Sequence, residues 1–357
     1  MKSSLRFGLK VALCVVMVLS LGFATSAKIA SAAELESRTF VFAHTGAPGS
    51  TNEFWAETFK ALLDKYSGGK LKVDIFGSSQ LGDDISICSD VQAGAVDFQV
   101  CSPAALTNIV PAGYVFDMPF LFSDVKTARA ALADKAFFKE VGAGFEKAGM
   151  KLFPLFDTWF RELTSNKNIT SFESLKGVSL RTMNNAVHLN FWRALGCAPT
   201  PMATSEIYMA LEQGMIDGQE NPYGQLVDKK LFDVQKYVTN SNHIFYVGNS
   251  CISLKTWNSL SPEAQKIMWR AAEETTKRTY EFVDKNEKTA FNKLINEKGM
   301  KFIDFDKIPG LREACRKATF DVAYKDISEK IGNALLDKWI AAAGRKVPIV
   351  KGKLKNE

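Results

Sequence analysis

Histidine is scarce in this 357-residue chain: there are three, His44, His188 and His243. None stands in an H-x-x-x-H or H-E-x-x-H spacing, which argues against a zinc centre. Cysteine is thin as well, with six in the whole chain. Cys88, Cys101, Cys197, Cys251 and Cys315 lie far apart without a C-x-x-C, so neither a disulfide framework nor a metal cluster is expected, and buried free thiols are. There is no G-x-S-x-G, no G-x-x-x-x-G-K-[ST] and no G-x-G-x-x-G after a strand. No enzymatic activity and no cofactor are therefore expected. No basic block interleaved with aromatics is present, which argues against nucleic acid. Beyond the first 33 residues no apolar run resembles a membrane span.

The N-terminus has what the rest lacks. Lys2, Arg6 and Lys10 precede an uncharged apolar run from Val11 to Ala24, and Ala30-Ser31-Ala32 follows. A basic start, a short apolar stretch and an A-x-A site make a secretory signal over residues 1–33. The run is shorter than the roughly 20 residues that a span requires, although a retained anchor is the alternative. Cys14 follows Leu13, where lipid attachment would need a small residue. Lys2, Arg6, Lys10 and Lys28 supply four of the formal net charge of +6. The apparent basicity thus belongs mostly to the leader. The expected location is the periplasm, with no membrane insertion once the leader is removed.

After the leader, strand and helix patterns alternate. Thr39–His44 reads as a strand, 51–66 as a helix, Lys72–Phe76 as a strand, 83–93 as a helix and Asp97–Cys101 as a strand ended by Ser102-Pro103. The style returns with a strand at Val178–Thr182, helices at 185–195 and 204–214, and a short strand running into Asn221-Pro222. This alternation predicts an α/β architecture with a parallel or mixed sheet. Roughly 320 residues exceed what one core organises, so two lobes are expected. Ser261-Pro262 is a helix start, and no Pro or Gly follows until Gly299. About 37 helical residues would reach about 55 Å, longer than one lobe, so this helix should join both.

Asp83-Asp84 reads as a solvated first helical turn rather than a carboxylate pair, because adjacent helical residues diverge. Ser102-Pro103 places a hydroxyl and backbone N–H groups at a helix start, suited to an anion or simply to an ordinary cap. Arg181 lies inside the strand Val178-Ser179-Leu180-Arg181-Thr182, and its planar fork matches carboxylate or sulfonate oxygens. Arg161, twenty residues earlier, is a second candidate donor. A structural ion pair is the alternative for each.

Ser78-Ser79-Gln80-Leu81-Gly82, Asp97-Phe98, Met118-Pro119-Phe120, Leu175-Lys176-Gly177-Val178-Ser179-Leu180-Arg181, Glu206-Ile207-Tyr208 and Asp217-Gly218-Gln219-Glu220-Asn221-Pro222 occur in that order. With these motifs the chain resembles the solute-binding subunits of tripartite ATP-independent periplasmic (TRAP) transporters. The resemblance implies a two-lobed periplasmic-binding-protein fold, type II-like, with a long helix spanning both lobes. It implies that Arg181 makes the principal bidentate bridge to the ligand's acid, that Arg161 also meets that acid, and that Asn221 is a polar contact. His44 stands where sialic-acid binders have asparagine, Ser102 where they have glutamate, and Thr204 where an aromatic often covers the ligand. Trp159 narrows the pocket or is a core aromatic.

The resulting expectation is a small organic anion, a short hydroxyalkanesulfonate such as isethionate or a C4-dicarboxylate, handed to the small and large TRAP permease subunits. For a dicarboxylate, His44 is the candidate at the far end. A ligand-sensing module for a membrane receptor or kinase is the alternative. Lobe I is expected at 34–158 with about 247–285, lobe II at 159–246 with about 286–330, and a C-terminal helix and tail at 331–357.

Overall fold

A computed structural model describes residues 35–345; the expected secretion signal and the final tail lie outside the described residues. Strand β1 (Arg38–Ala43) leads into a helix at Thr51–Ser67. The Ser50 hydroxyl accepts from the Glu53 N–H to start that helix, and Gly68, at φ 63°, ends it in the left-handed region where a Cβ is costly. Strand β2 (Leu71–Phe76), the helix Asp84–Ala93 and strand β3 (Phe98–Cys101) follow. Both β2 and β3 pair parallel to β1, one on each side. Phe42 stacks on Phe98, and Trp55 and Phe59 from the first helix cover them, so apolar burial fixes the helix on the sheet.

The remaining strands are β4 (Met150–Leu152), β5 (Phe156–Ser165), β6 (Ser179–Thr182), β7 (Ala198–Pro201), β8 (Gly218–Asn221), β9 (Tyr237–Thr239), β10 (Ile244–Ser253) and β11 (Lys301–Ile303). Their order is β2-β1-β3-β10-β5-β8-β6-β7, with β4 beside β10, β9 beside β5 and β11 beside β9. The ten-residue strands β5 and β10 run antiparallel to each other and connect the two halves of the sheet. Between the pairs Phe245–Phe160 and Val247–Asp157 the register shifts. Thr158 and Trp159 there face the single residue Tyr246, and Trp159 takes φ 78°. This is a β-bulge, which bends the strand and re-aims its side chains.

The long helix runs from Pro262 to Asn292, 31 residues, and continues as a π-turn at Lys293–Glu297. The Ser261 hydroxyl accepts from Ala264 N–H, as a proline-led start requires. Its buried stripe of Ala264, Met268, Ala271, Ala272 and Thr275 lies on the Thr51–Ser67 helix side, and it continues to the helix Tyr223–Asp228. One rod therefore braces elements from both halves. Separate apolar clusters fill the halves: one around Val115, Phe137 and Trp339, another around Leu163, Val178 and Phe191. The C-terminal helix Asn333–Ala342 inserts Leu336, Trp339 and Ile340 into the first.

Two helical expectations are corrected. Ser102-Pro103 opens only a three-residue 3-10 turn, Pro103–Ala105, and the Ser102 hydroxyl accepts from Ala104 N–H. The helix expected over 204–214 is a 3-10 turn at Thr204–Glu206 followed by a helix at Ile207–Glu212. Met118 to Phe122 form a buried connection, and all five remaining cysteines are free and buried.

Candidate functional site

A cavity opens where the loop after β1, the Asp84 helix start and the end of β3 face β5, β6, β8 and the helix Tyr223–Asp228. Arg161, Arg181, Asn221, Ser102 and Thr204 all line it.

Arg181 comes from β6 and is buried. Its Nε and Nη2 donate to the Met202 carbonyl oxygen at 3.0 and 2.7 Å, leaving Nη1 uncommitted among the described residues. It forms no ion pair with any described residue. Burial pushes its pKa down to about 10, with the nearby Glu220 charge resisting and that of Arg161 adding to the fall. A buried cation without a carboxylate of its own is costly unless an anion joins it.

Arg161 is different: it is already paired. Its Nε bonds a Glu220 carboxylate oxygen, and Nη2 donates to the other oxygen at 2.9 Å, to the Glu220 carbonyl at 2.7 Å and to Asn221 Oδ1 at 2.9 Å. The register explains the pairing. Leu163 of β5 stands opposite Glu220 of β8, so Arg161, two residues before Leu163, shares the Glu220 face. The Tyr246 ring lies 4.5 Å from the guanidinium carbon, and Nη1 is buried without a partner. Burial acts to raise the Glu220 carboxyl, but the Arg161 charge and the bonds from His243 and Arg161 hold it well below the carboxylate range. His243, whose own pKa burial lowers, sits with Nε2 3.2 Å from Glu220.

Asn221 is half committed. Its Oδ1 accepts from Arg161 and its Nδ2 donates to Gln219 Oε1 at 2.5 Å, so one amide N–H remains. The donors left at this end are one Nη1 from each arginine and that amide hydrogen, an arrangement matched to a carboxylate or sulfonate.

Two expected residues lie elsewhere. His44 is fully buried outside the lining; its Nδ1 accepts from Gly46 N–H at 3.1 Å, and its Nε2 lies 2.9 Å from Glu53. Burial drives its pKa down to about 4, so it is a neutral loop brace and not a far-end cation. Trp159 is also absent from the lining; the left-handed bulge turns it against the apolar cluster of the first half.

The sequence pattern missed Glu220, Tyr246, Asp84, Gln225, Asp228 and Lys229. Only Asp83 is the solvated cap, accepting from Ile85 and Ser86 N–H; Asp84 turns to the cavity and accepts from the Thr45 hydroxyl at 2.9 Å. Among the described residues no group of three His, Cys, Asp or Glu side chains is placed to hold a metal ion.

Residues 42–330 match the family described as bacterial extracellular solute-binding protein, family 7. The chain belongs to this family. It is 27% identical over 311 residues to the 2,3-diketo-L-gulonate-binding periplasmic protein YiaO of Escherichia coli, covering 87% of this chain and 89% of that one. The sugar acid binding protein DctPAm of Advenella mimigardefordensis, solved with galactonate, superposes with a TM-score of 0.82 at 26% identity, covering 87% of this chain and 99% of that one. A TRAP periplasmic solute-binding protein of Bordetella, with density interpreted as pantoate, gives a TM-score of 0.79 at 30% identity, covering 87% and 100%. These solute-binding proteins share the two-lobed fold with its long helix, and the family consists of transporter binding subunits rather than enzymes. No described helix of this solute-binding protein is long and apolar enough to cross a membrane.

Proposed function

We propose that this protein captures a small organic anion in the cavity between its lobes, in the periplasm, and delivers it unchanged to TRAP permease subunits for uptake. The observation that carries this reading is Arg181, a buried cation at the cavity wall whose only bonds among the described residues are to a backbone carbonyl. The ligand's acid takes the free Nη1 groups of Arg181 and Arg161 and the spare Asn221 hydrogen. Ser102 and Thr204 bound the same space.

Of the two ligand classes suggested by the sequence, a short hydroxyalkanesulfonate such as isethionate fits better than a C4-dicarboxylate. A second carboxylate would meet Asp84 and Asp228 rather than His44. The relatives' galactonate, pantoate and diketogulonate are likewise single acids bearing oxygen functions. The lobe boundaries proposed at 158/159 and 246/247 fall on the bulge between β5 and β10, where two strands cross from one half to the other.

A thermal-shift screen of short carboxylates, sulfonates and sugar acids tests the reading, because a ligand that binds only the folded chain raises its midpoint. At least one acid is expected to do so. Arg181→Ala is expected to cost about 2–5 kcal/mol of its affinity by calorimetry. Binding that survives this substitution nearly intact would refute the site.

A further inference from the structure

The helix Tyr223–Asp228, which brings Gln225 and Asp228 to the cavity, starts without a cap from its own segment. Pro222 stands at the cap position, and its side chain offers no acceptor to the free N–H groups of the first turn. The acceptor comes from the long helix. Glu287 reaches across, and its Oε1 accepts from the Gly224 N–H at 2.9 Å. Glu287 is 4% exposed, and its Oε2 is buried with no hydrogen-bond partner among the described residues. Burial holds the carboxyl well above the usual carboxylate range; the N–H groups of Gly224 and Tyr223 oppose the rise, and the Glu162 and Asp228 charges add to it. Packing alone asks for an apolar side chain at this depth, whereas the carboxyl supplies the acceptor that the helix start lacks.

The close approach is built into the partner as well. A Cβ on Gly224 would stand 2.6 Å from Asn286 Nδ2 and 2.7 Å from Glu287 Oε1, so the two helices meet here only at a glycine. The same two turns of the long helix also hold the opposite wall. Phe282 stacks on Phe54 with ring centroids 4.2 Å apart, and Phe54 belongs to the helix whose Thr51 and Asn52 line the cavity. Between Phe282 and Glu287, Asp284 accepts from Arg129 Nη2 at 2.8 Å, and the Nε of that arginine donates to Asp157 of β5 at 2.6 Å. Phe282 and Glu287 stand about 7.5 Å apart along the axis. One short stretch of the rod thus grips lining segments from both walls.

We propose that Glu287 is a positioning residue for solute capture: it caps the helix Tyr223–Asp228 from outside and sets where Asn221, Gln225 and Asp228 stand at the cavity. This rests on the anion-capture reading above. Arg181 meets the acid, while Glu287 lies outside the cavity lining and acts through the helix it caps.

The test uses the chain without its leader as wild type, Glu287→Met, Glu287→Gln, Met268→Ala and Arg181→Met. The two substitutions at 287 are close in size and differ in the acceptor. Met268→Ala opens the buried stripe of the same helix about 28 Å from Glu287, lowering stability without touching the cap. Amide exchange over residues 221–229 of the ligand-free chain is expected to rise about tenfold in Glu287→Met, and to stay within about twofold of wild type in Glu287→Gln and Met268→Ala. Calorimetric titration with isethionate and with D-erythronate should show affinity about fivefold lower in Glu287→Met for whichever acid binds, restored in Glu287→Gln and near wild type in Met268→Ala. Exchange that does not rise in Glu287→Met, or that rises equally in Met268→Ala, overturns the cap. Failure of Glu287→Gln to restore both exchange and affinity overturns the acceptor role. Unchanged affinity in Glu287→Met beside a defective Arg181→Met overturns the positioning role and leaves anion capture standing. Binding of neither acid by wild type overturns the proposal whatever the exchange shows, and binding that is independent of Arg181 overturns the anion-capture reading itself.

Discussion

The two walls of the cavity are built on different principles. The wall from β5, β6 and β8 holds its charges in prearranged contacts: Arg161 on Glu220, Arg181 on the Met202 carbonyl, Asn221 on Gln219. The facing wall offers loop backbone and the short side chains of Thr45, Ser50, Thr51 and Ser102, with Asp84 as its only lining acid among the described residues. The difference separates two tasks. A rigid charged wall sets that the ligand must be an anion; a softer wall sets how large it is and what else it carries.

Substitutions on each wall can break that division. The largest expected effect is Glu220→Ala, which strands Arg161 in a buried position and should cost about 3–5 kcal/mol in denaturant unfolding. Asp84→Ala across the cavity should cost under about 1 kcal/mol. Equal costs would erase the contrast.

Acid should next expose the facing wall. His44 titrates near 4 when folded and at 6.5 when free, so the unfolded chain binds the proton first as pH falls. Its contribution is complete above pH 6.5 and is lost on descending toward pH 4, at most about 3 kcal/mol. His44→Asn should flatten that part of the stability-versus-pH curve, and an unchanged slope would show that the loop brace is not responsible.

Gly218→Ala probes the charged wall's backbone. An added Cβ would stand 2.3 Å from the Thr164 carbonyl oxygen across the β5–β8 pair. A loss of about 1–3 kcal/mol is expected, measured by the unfolding midpoint. The smallest effect is Ser102→Ala, which removes the cap of one 3-10 turn; about 0.5–1 kcal/mol of stability should go, with affinity for the bound acid within about threefold.

Much of this architecture was legible along the chain. The strands and helices up to Cys101 stand within a residue or two of where alternation and capping put them, because those signals are local. Arg181 stood out because a long cation inside an apolar strand has few uses. Its neighbours were not legible for equally physical reasons. Glu220 lies 59 residues from Arg161, and only the β5–β8 register joins them. Asp84 and Lys229 look like ordinary charges at helix ends until the opposite wall is present. The choice between pocket and core for Trp159 stayed open because one extra residue in a strand leaves no mark on composition, yet reverses which way a side chain points.

Holding Arg181 by the Met202 carbonyl has an evolutionary consequence. Every amino acid carries that oxygen, so the residue at 202 can change without releasing the guanidinium, and no counter-charge has to be inherited alongside it. Descendants of such a chain are free to explore new nutrients by remodelling the rest of the chamber, with the demand for a negative charge retained throughout.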